Sequence, residues 1–456
     1  MDLALTWAGD PSVTSALLRS AQRPTKTVLA RGNSCFNIQS TIFGRRSMTP
    51  ARTKLVKAGL ALSLAGTLLL PTSALAADTT TDPVKAAAGY LAAQLKDGER
   101  MVTVFDGVEY PDYGLTTDVV LALDAAKVGQ TAAAKATAFL SKPENVTEYV
   151  GDGKTSSYAG AHAKLALTLQ AQGKNPASVG NRDLLTELIA RRNDKGRFVD
   201  LGEDYSNTFT QSFGVMALHR AGKSGNEVVF LAGNQCKDGG FPLKLESGDG
   251  CESHVDSTGL AVQALLTAGK KDVAGKALNW LVSQQNANGG FTGGPAAPAI
   301  NTNSTGLALG ALRAGGRNAQ ADKAAALLTS WQQGCSAPAG QRGGIAYSAA
   351  GFDTANAARA TAQGVPGLAG VNLATVSKDG ASAGTPALDC AATPPSSAPE
   401  TPVAPKPETI AAPPAKPSVP LADTGVHVGY LAMLGGLLLV GGAGAFWLAR
   451  KPGSSS

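Results

Sequence analysis

The sequence predicts an all-α fold built from six helical hairpins. Six stretches each combine a polar cluster, an apolar run and a closing glycine, and these glycines recur 44 to 49 residues apart. Aromatic residues make up only 5% of the chain, so a core has to be built mainly from Ala, Leu and Val, as in closely packed helices. A steady period of this length over six copies is typical of stacked supersecondary units.

One helix of each hairpin is read directly from the repeat. The clearest copies are "VDSTGLAVQALLTAGKK" and "NTNSTGLALGALRAGGR"; weaker ones are "LTTDVVLALDAAKVG", "AGAHAKLALTLQAQG", "NTFTQSFGVMALHRAG" and "GFDTANAARATAQG". Each begins with residues that cap helices and ends at a glycine that can terminate one. The closing glycines are Gly129, Gly173, Gly222, Gly269, Gly315 and Gly364.

The second helix of each hairpin lies upstream and ends in a glycine-rich turn. Examples are "AAAKATAFL", "NRDLLTELIARR", "AGKALNWLVSQQ" and "ADKAAALLTSWQQ", and the turns read "NDKGRF", "CKDGGF", "NANGGF" and "QRGGIA". Glycine allows a tight turn with positive φ, and the following Phe or Ile can fill the seam between neighbouring hairpins. Six such hairpins can form either an open solenoid or a closed ring.

A family resemblance favours the closed ring. The stretches "WLVSQQNANGGF" and "FLAGNQCKDGGF" resemble the Q-x(2-5)-G-x-[FW] repeat of the prenyltransferase and squalene-cyclase superfamily. This resemblance implies an (α/α)6 toroid over residues 83–370, with a short extension over 371–390. In such a toroid the inner helices converge on a central cavity, and their N-termini meet at one mouth where helix dipoles favour ligands.

The mouth supplies the candidate binding residues. Counting back from the closing glycines gives Asp118, His162, Gln211, Asp256, Asn303 and Asp353. Among them Asp118, His162, Asp256 and Asp353 are also candidates for general acid or base chemistry. The simpler interpretation is that Asp, Asn, Ser and Thr at these places only cap helices.

The catalytic motifs of the resembled superfamily are missing from this chain. A cyclase of the protonating type uses D-x-D-D, the ionising type uses D-D-x-x-D for magnesium, and protein prenyltransferases bind zinc through D-x-C and a distant His. D-x-D-D and D-D-x-x-D do not occur in the sequence, and the stretch "CESHVD" offers Cys, His and Asp in a different order from the zinc ligands. We therefore expect no metal and no cofactor, and a binding or interaction module is favoured over an enzyme.

The cysteines point to disulfides. The stretch "CESHVD" places Cys251, His254 and Asp256 close together, which could hold a metal. The exported part of the chain has an even number of cysteines, which favours pairing instead. Local pairing predicts Cys236 with Cys251 and Cys335 with Cys390.

The N-terminal region predicts export. Residues 48–76 combine basic residues, an apolar run and an Ala-x-Ala pattern, as in a secretory signal peptide. Residues 1–47 lack clear periodicity and are interpreted as a disordered leader or a mis-assigned start. Cations are scattered and rarely interleaved with aromatic residues, so nucleic-acid binding is not expected.

The C-terminal region predicts attachment to a cell wall. Residues 391–420 are rich in Pro and Ala and are expected to form an extended stalk. They precede the pentapeptide Leu421, Ala422, Asp423, Thr424 and Gly425, an apolar segment at 426–449 and a basic tail at 450–456. This order resembles a sortase sorting signal of Gram-positive bacteria, in the LAxTG variant of high-GC actinobacteria. The alternative is a plain C-terminal membrane anchor.

These observations together predict a secreted, sortase-anchored surface protein that displays the toroid as a binding module. The resemblance implies sortase as the processing partner, with peptidoglycan as the covalent anchor and the apolar segment holding the chain in the membrane before cleavage. The ligand would be a small molecule or another surface component. The alternative is an extracellular hydrolase or lyase that acts at the mouth through Asp and His residues.

Overall fold

The computed structural model describes residues 78–295 and 297–391. Within them the chain forms six inner and six outer helices and one additional helix. The inner helices are α2 (Tyr113–Ala126), α5 (Ala159–Ala171), α7 (Thr208–Arg220), α9 (Val255–Thr267), α11 (Thr302–Ala314) and α13 (Thr354–Leu368). The outer helices are α1 (Pro83–Gln94), α3 (Gln130–Leu140), α6 (Leu184–Ala190), α8 (Glu227–Gly233), α10 (Lys271–Gln284) and α12 (Asn318–Ser330). The additional helix is α4 (Pro143–Val150).

The inner helices form a closed ring. Each packs against the next in chain order, and α13 packs back against α2. Nearly every residue of α2 is buried, whereas an outer helix such as α12 buries only one face. The fold is therefore the predicted (α/α)6 toroid rather than an open solenoid. Small residues allow close approach, since a Cβ on Gly306 would lie 2.6 Å from the carbonyl oxygen of Gln363 on the neighbouring helix.

The glycine-rich turns have a common structural role in the outer ring. The side-chain amide of Gln285 donates to Gly289 O in its own turn and to Gln320 O at the start of the next outer helix. Gln235 and Gln332 make the corresponding pairs of hydrogen bonds. Gln332 reaches the carbonyl of Pro83, and this contact closes the outer ring between α12 and α1.

The residue after each of these turns fills the seam between hairpins, as predicted. Its side chain is fully buried, and its backbone N–H donates to a polar side chain of the following inner helix. The four donor and acceptor pairs are Phe198 with Gln211, Phe241 with Thr258, Phe291 with Thr305, and Ile345 with Thr361.

One predicted helix end is wrong, and another differs only in which of two glycines has the positive φ. α13 continues through Gly364 to Leu368, and Gly370 has the positive φ that ends such a helix. After α11 the positive φ belongs to Gly316, not to Gly315. The segment between α3 and α5 contains α4, which is not part of the six predicted hairpins.

The structure also has short strands that the repeat pattern did not predict. β2 (Val102–Phe105) and β3 (Val108–Pro111) form an antiparallel hairpin, with Val102 paired to Pro111 and Phe105 paired to Val108. β1 (Thr79–Thr80) pairs in parallel with β4 (Ala387–Leu388). The hairpin lies between α1 and α2, directly before the N-terminus of an inner helix.

Residues 371–390 form a strap across the C-terminal end of the ring. Leu373 N donates to Gln263 Oε1 on α9, and Arg220 at the end of α7 donates to Val376 O. Lys378 N then donates to Ala171 O at the end of α5. The last contact satisfies a carbonyl that the C-terminus of α5 leaves without a partner in its own helix. The strap therefore closes the ring at the end opposite the mouth.

The two predicted disulfides are confirmed. Cys236 is joined to Cys251 and Cys335 to Cys390, with Cα atoms 5.5 Å and 5.4 Å apart. The second bond fastens the end of the strap to the loop after α12. Disulfides of this kind are typical of proteins in oxidising compartments.

The predicted export and anchoring segments, 1–76 and 392–456, lie outside the described residues. In residues 78–295 and 297–391, no helix has both the length and the apolar character required to cross a bilayer.

Candidate functional site

The axis of the ring is lined by an equivalent position from five of the six inner helices. The sixth residue of five inner helices lines a small central cavity, and Arg359 holds the same position in α13. In ring order these residues are Asp118, Lys164, Phe213, Leu260, Leu307 and Arg359. The layer therefore has a charged sector on α13, α2 and α5 and an apolar sector on α7, α9 and α11.

The central cavity has a volume of only about 40 Å³. Val371 and Leu373 of the strap line it together with the inner helices. A space of this size holds roughly three water molecules. The centre of the toroid is therefore a packed hub with no room for a ligand of ordinary size.

A buried ion pair lies in the hub. Lys164 Nζ is 2.6 Å from Asp118 Oδ1, and both side chains are almost entirely enclosed. The same ammonium donates to Gly114 O and lies 5.8 Å from the centre of the Phe213 ring. Asp118 Oδ2 is buried with no hydrogen-bond partner among the described residues. The pair joins α2 to α5 and leaves one carboxylate oxygen of Asp118 without a hydrogen-bond partner in the described residues.

A second ion pair connects the ring to the β2–β3 hairpin. Arg359 Nη2 on α13 lies 2.6 Å from Asp112 Oδ2, and Asp112 caps the N-terminus of α2. Thr103 on β2 donates to the same carboxylate oxygen at 3.2 Å. The hairpin is thus attached to the charged sector of the mouth.

A polar cluster lies where the N-termini of α9 and α11 meet. Asp256 accepts a hydrogen bond from Ser304, and His254 and Tyr347 are close enough to interact with its charge. The loop after Phe291 packs tightly on this cluster, since a Cβ on Gly293 would lie 3.1 Å from Ser304 Oγ and one on Gly294 would lie 3.5 Å from the His254 ring. Asp256 Oδ1 and Asn303 Oδ1 are buried without a described partner.

Burial controls the protonation of this cluster. It raises the pKa of the Asp256 carboxyl above its ordinary value, although the nearby His254 and the hydrogen bond from Ser304 act in the opposite direction. Burial and the adjacent carboxylate also raise the pKa of Tyr347. A carboxyl with a raised pKa at the mouth can act as a proton donor or as a neutral hydrogen-bonding group.

The structure brings together only some of the residues predicted for the mouth. Asp118 lies on the axis below the mouth, and Asp256 and Asn303 occupy the same position near the starts of adjacent inner helices. Their assignment as ligand-binding residues stays a prediction.

The other three predicted mouth residues make structural contacts. His162 is fully buried and bonds Tyr158 O and Glu187 Oε2, which joins α5 to α6. Gln211 bonds backbone groups of the turn before α7. Asp353 is the exposed N-cap of α13 and accepts from Ala355 N. For Asp353 the capping interpretation accounts for the residue.

The His162 contact has an electrostatic consequence. Burial disfavours the ionised form of Glu187, but hydrogen bonds from His162 and Arg182 outweigh it and lower the pKa of Glu187 to about 2. Glu187 thus remains a carboxylate that holds His162 in place.

The candidate metal ligands of the "CESHVD" stretch are divided between two features. Cys251 is in a disulfide, while His254 and Asp256 belong to the mouth cluster. Across residues 78–295 and 297–391, no group of three or more His, Cys, Asp and Glu side chains is placed to hold a metal ion.

The sequence interpretation did not identify Lys164 or Arg359 as residues of the axis. A signal for them exists, because each is a lone charge in the middle of an otherwise apolar inner helix, at the same distance from the helix start as Asp118. Aligning the repeats at their helix starts rather than at their closing glycines would have brought these three charges into one layer.

Comparisons with known proteins give structural matches. A protein from Actinoplanes aligns with a TM-score of 0.47 and 19% identity, over 63% of this chain and 98% of the other. The type II terpene cyclase MstE from Scytonema gives 0.47 and 13%, over 63% and 96%. An unsaturated glucuronyl hydrolase specific for heparin gives 0.46 and 12%, over 64% and 98%. No family model and no curated protein matches the sequence. At these scores the matches leave the activity of this chain open.

Proposed function

We propose that this chain is an exported cell-wall surface protein that presents the toroid as a binding module, with its ligand held at the mouth. The observation that carries the proposal is the filled hub. The cavity of about 40 Å³ is too small for a sugar or an isoprenoid. Two disulfides secure the loop before α9 and the strap, which suits a rigid module outside the cell.

The sequence supports export and wall attachment. Residues 48–76 have the order of a signal peptide, and residues 421–456 have the order of a sortase sorting signal. In this proposal a sortase thiolate attacks the Thr424 carbonyl, releases the chain from Gly425 onward and transfers the acyl group to a peptidoglycan amine. Residues 391–420 then hold the toroid away from the wall.

Mass spectrometry of wall fragments released by a muramidase tests the attachment. We expect a C-terminal peptide that ends at Thr424 and is joined to a peptidoglycan cross-bridge. Deleting residues 421–425 serves as the control and should release the toroid into the medium or leave it in the membrane. Recovery of the parent chain with an intact peptide across Thr424 and Gly425 would show a plain membrane anchor instead.

The Asp256 cluster supports a second candidate, an extracellular hydrolase or lyase. A buried carboxyl with a raised pKa next to His254 and Tyr347 is the kind of group that a general acid requires. In such an enzyme Asp256 would donate the proton to a leaving group bound at the mouth. Asp118 is less suited to this role because Lys164 occupies one of its oxygens.

Asp256→Asn distinguishes the two candidates. The substitution keeps the shape of the side chain but removes its acidic proton. Wall polysaccharide fragments and soluble isoprenoids are supplied to the parent and the variant, and retention and turnover are both measured. Loss of turnover with retained binding supports the enzyme, whereas binding without turnover by the parent supports the module. Asp353→Asn, at the exposed cap of α13, is the matched control.

A further inference from the structure

The β2–β3 hairpin is the main apolar feature on the described surface. Val104, Phe105, Val108 and Tyr110 are 62%, 46%, 51% and 37% exposed, and they are four of the five large hydrophobic side chains that are exposed in the described residues. Exposed apolar residues grouped in this way mark interaction sites in soluble proteins. The hairpin therefore requires an explanation beyond the stability of the toroid.

The hairpin is well formed and firmly attached at its base. Asp106 and Gly107 have φ values of +50° and +76°, as in a two-residue type I′ turn. At the base Asp112 N donates to Met101 O, and Met101 N donates to Thr116 Oγ1 on α2. The exposed side chains are thus held in a fixed arrangement.

The two edges of the hairpin differ. Hydrogen-bonded and non-bonded pairs alternate along an antiparallel ladder. The backbone N–H and C=O groups that face β3 therefore belong to residues 101, 103 and 105. Val102 and Val104 therefore direct their N–H and C=O groups outward. The outward positions on β3 are Glu109 and Pro111. A charge and a proline block strand pairing on the β3 edge, whereas the two valines of the β2 edge leave it open.

We propose that the β2 edge pairs with the β2 edge of a second copy of this chain. With a twofold axis at Thr103, Val102 of each copy faces Val104 of the other, and both residues have outward backbone groups. This antiparallel register forms four backbone hydrogen bonds and joins the two hairpins into a four-stranded sheet. The four valines then lie together on one face, and Phe105 and Tyr110 of both copies lie on the other.

The register is fixed by the backbone rather than by charge. Arg100, just before β2, is held on the toroid by Asp97 at 2.8 Å, by Glu99 at 3.1 Å and by the Phe139 ring. A register shifted by one residue would place an outward residue of one copy opposite a residue whose backbone groups are already bonded to β3.

The occupant that the observations favour is thus a second copy rather than an unrelated peptide. The contact is short, which predicts a weak dimer that forms mainly where the chain is dense, as on a wall surface. Thr103 also donates to Asp112, the partner of Arg359, so the contact lies beside the mouth.

Disulfide trapping tests the proposal on the full-length chain. At the twofold axis the Cα atoms of the two Thr103 residues would be about 4.5 Å apart, within the range for a disulfide. In a Cys35→Ser background, Thr103→Cys should form a dimer on non-reducing gels several times more readily than Val229→Cys, a second exposed position, with 64% exposure. Equal trapping of the two variants would overturn the proposal.

Edge variants give the second test. Added to Thr103→Cys, Val104→Pro removes one outward N–H from the β2 edge and should reduce trapping roughly tenfold. Glu109→Pro removes the corresponding group from the β3 edge and should leave trapping unchanged. Val104→Lys provides an independent block if the proline disturbs the hairpin. Equal reductions of trapping by Val104→Pro and Glu109→Pro would contradict pairing through β2. A chain that stays monomeric and instead binds phosphatidylglycerol vesicles through Phe105 would also contradict it.

Discussion

Gln332 Nε2 lies 2.7 Å from the carbonyl oxygen of Pro83, and this contact joins residues 249 positions apart in the chain. The same amide also donates to Gly343 O. The glutamine before three of the Gly-rich turns therefore ties one outer helix to the next, from α8 to α10, from α10 to α12 and from α12 back to α1.

Removing the closing contact should weaken the ring. We expect Gln332→Ala to lower the free energy of unfolding by about 1 to 2 kcal/mol, because two backbone carbonyls lose their donor. Gln333→Ala is the matched control, since that amide makes one longer contact at 3.3 Å. Urea unfolding followed by circular dichroism measures the difference. Equal losses for the two variants would show that Gln332 is an ordinary surface residue.

The two disulfides should contribute unequally to stability. They close loops with sequence separations of 15 and 55 residues. A longer loop loses more chain entropy in the unfolded state, so removing Cys335–Cys390 should cost roughly 4 kcal/mol and removing Cys236–Cys251 roughly 3 kcal/mol. The paired serine variants are compared by chemical unfolding. A larger cost for the shorter loop would indicate that native-state strain, and not loop entropy, dominates.

Removing one charge of the hub ion pair should destabilise the fold, whereas replacing both charges by apolar side chains should cost much less. Asp118→Asn leaves the Lys164 ammonium buried without its counter-charge, and we expect a loss of about 3 to 5 kcal/mol. The double change Asp118→Leu with Lys164→Met replaces both charges by apolar groups and should recover most of that loss. A double-mutant cycle measures the coupling energy. Additive effects would show that the two charges do not depend on each other.

The raised pKa of Asp256 predicts a stability that depends on pH. A carboxyl whose pKa is higher in the folded state than in the unfolded state stabilises the fold while it is protonated. This contribution to stability is complete below the unfolded-state pKa, which is near 4, and is lost as the pH rises through the folded-state pKa. Asn does not titrate, so Asp256→Asn should have the higher Tm at pH 7 to 8 and about the same Tm as the parent at pH 4. Thermal unfolding between pH 4 and pH 8 measures this difference. Asp124 and Asp200, whose pKa values are also raised by burial, titrate in both proteins. A Tm difference that stays constant with pH would contradict the prediction.

The repeat allowed much of the fold to be predicted. The period located all six inner helices, the Gly-rich turns located the seam residues, and the cysteine count with local pairing gave both disulfides. These features depend on neighbours in the chain, and so they leave a local signal.

The candidate site was predictable only in part. Counting from the closing glycines found Asp118 and Asp256 but also included His162 and Gln211, whose side chains point into contacts with outer helices and turns. A count from one helix end does not give the rotation of the helix about its own axis. The β2–β3 hairpin did have a local signal, the Asp106 and Gly107 turn between alternating apolar residues, which the helical repeat concealed.

The sequence by itself determined that paired helices recur, where they begin, and which segments resemble export and anchoring signals. Only the tertiary structure decided that the ring closes, that the strap at 371–390 covers one end, and that the hub is filled. The reason is physical: periodicity reports which face of each helix is buried, but the space left at the centre depends on the summed volumes of side chains from all six inner helices and the strap.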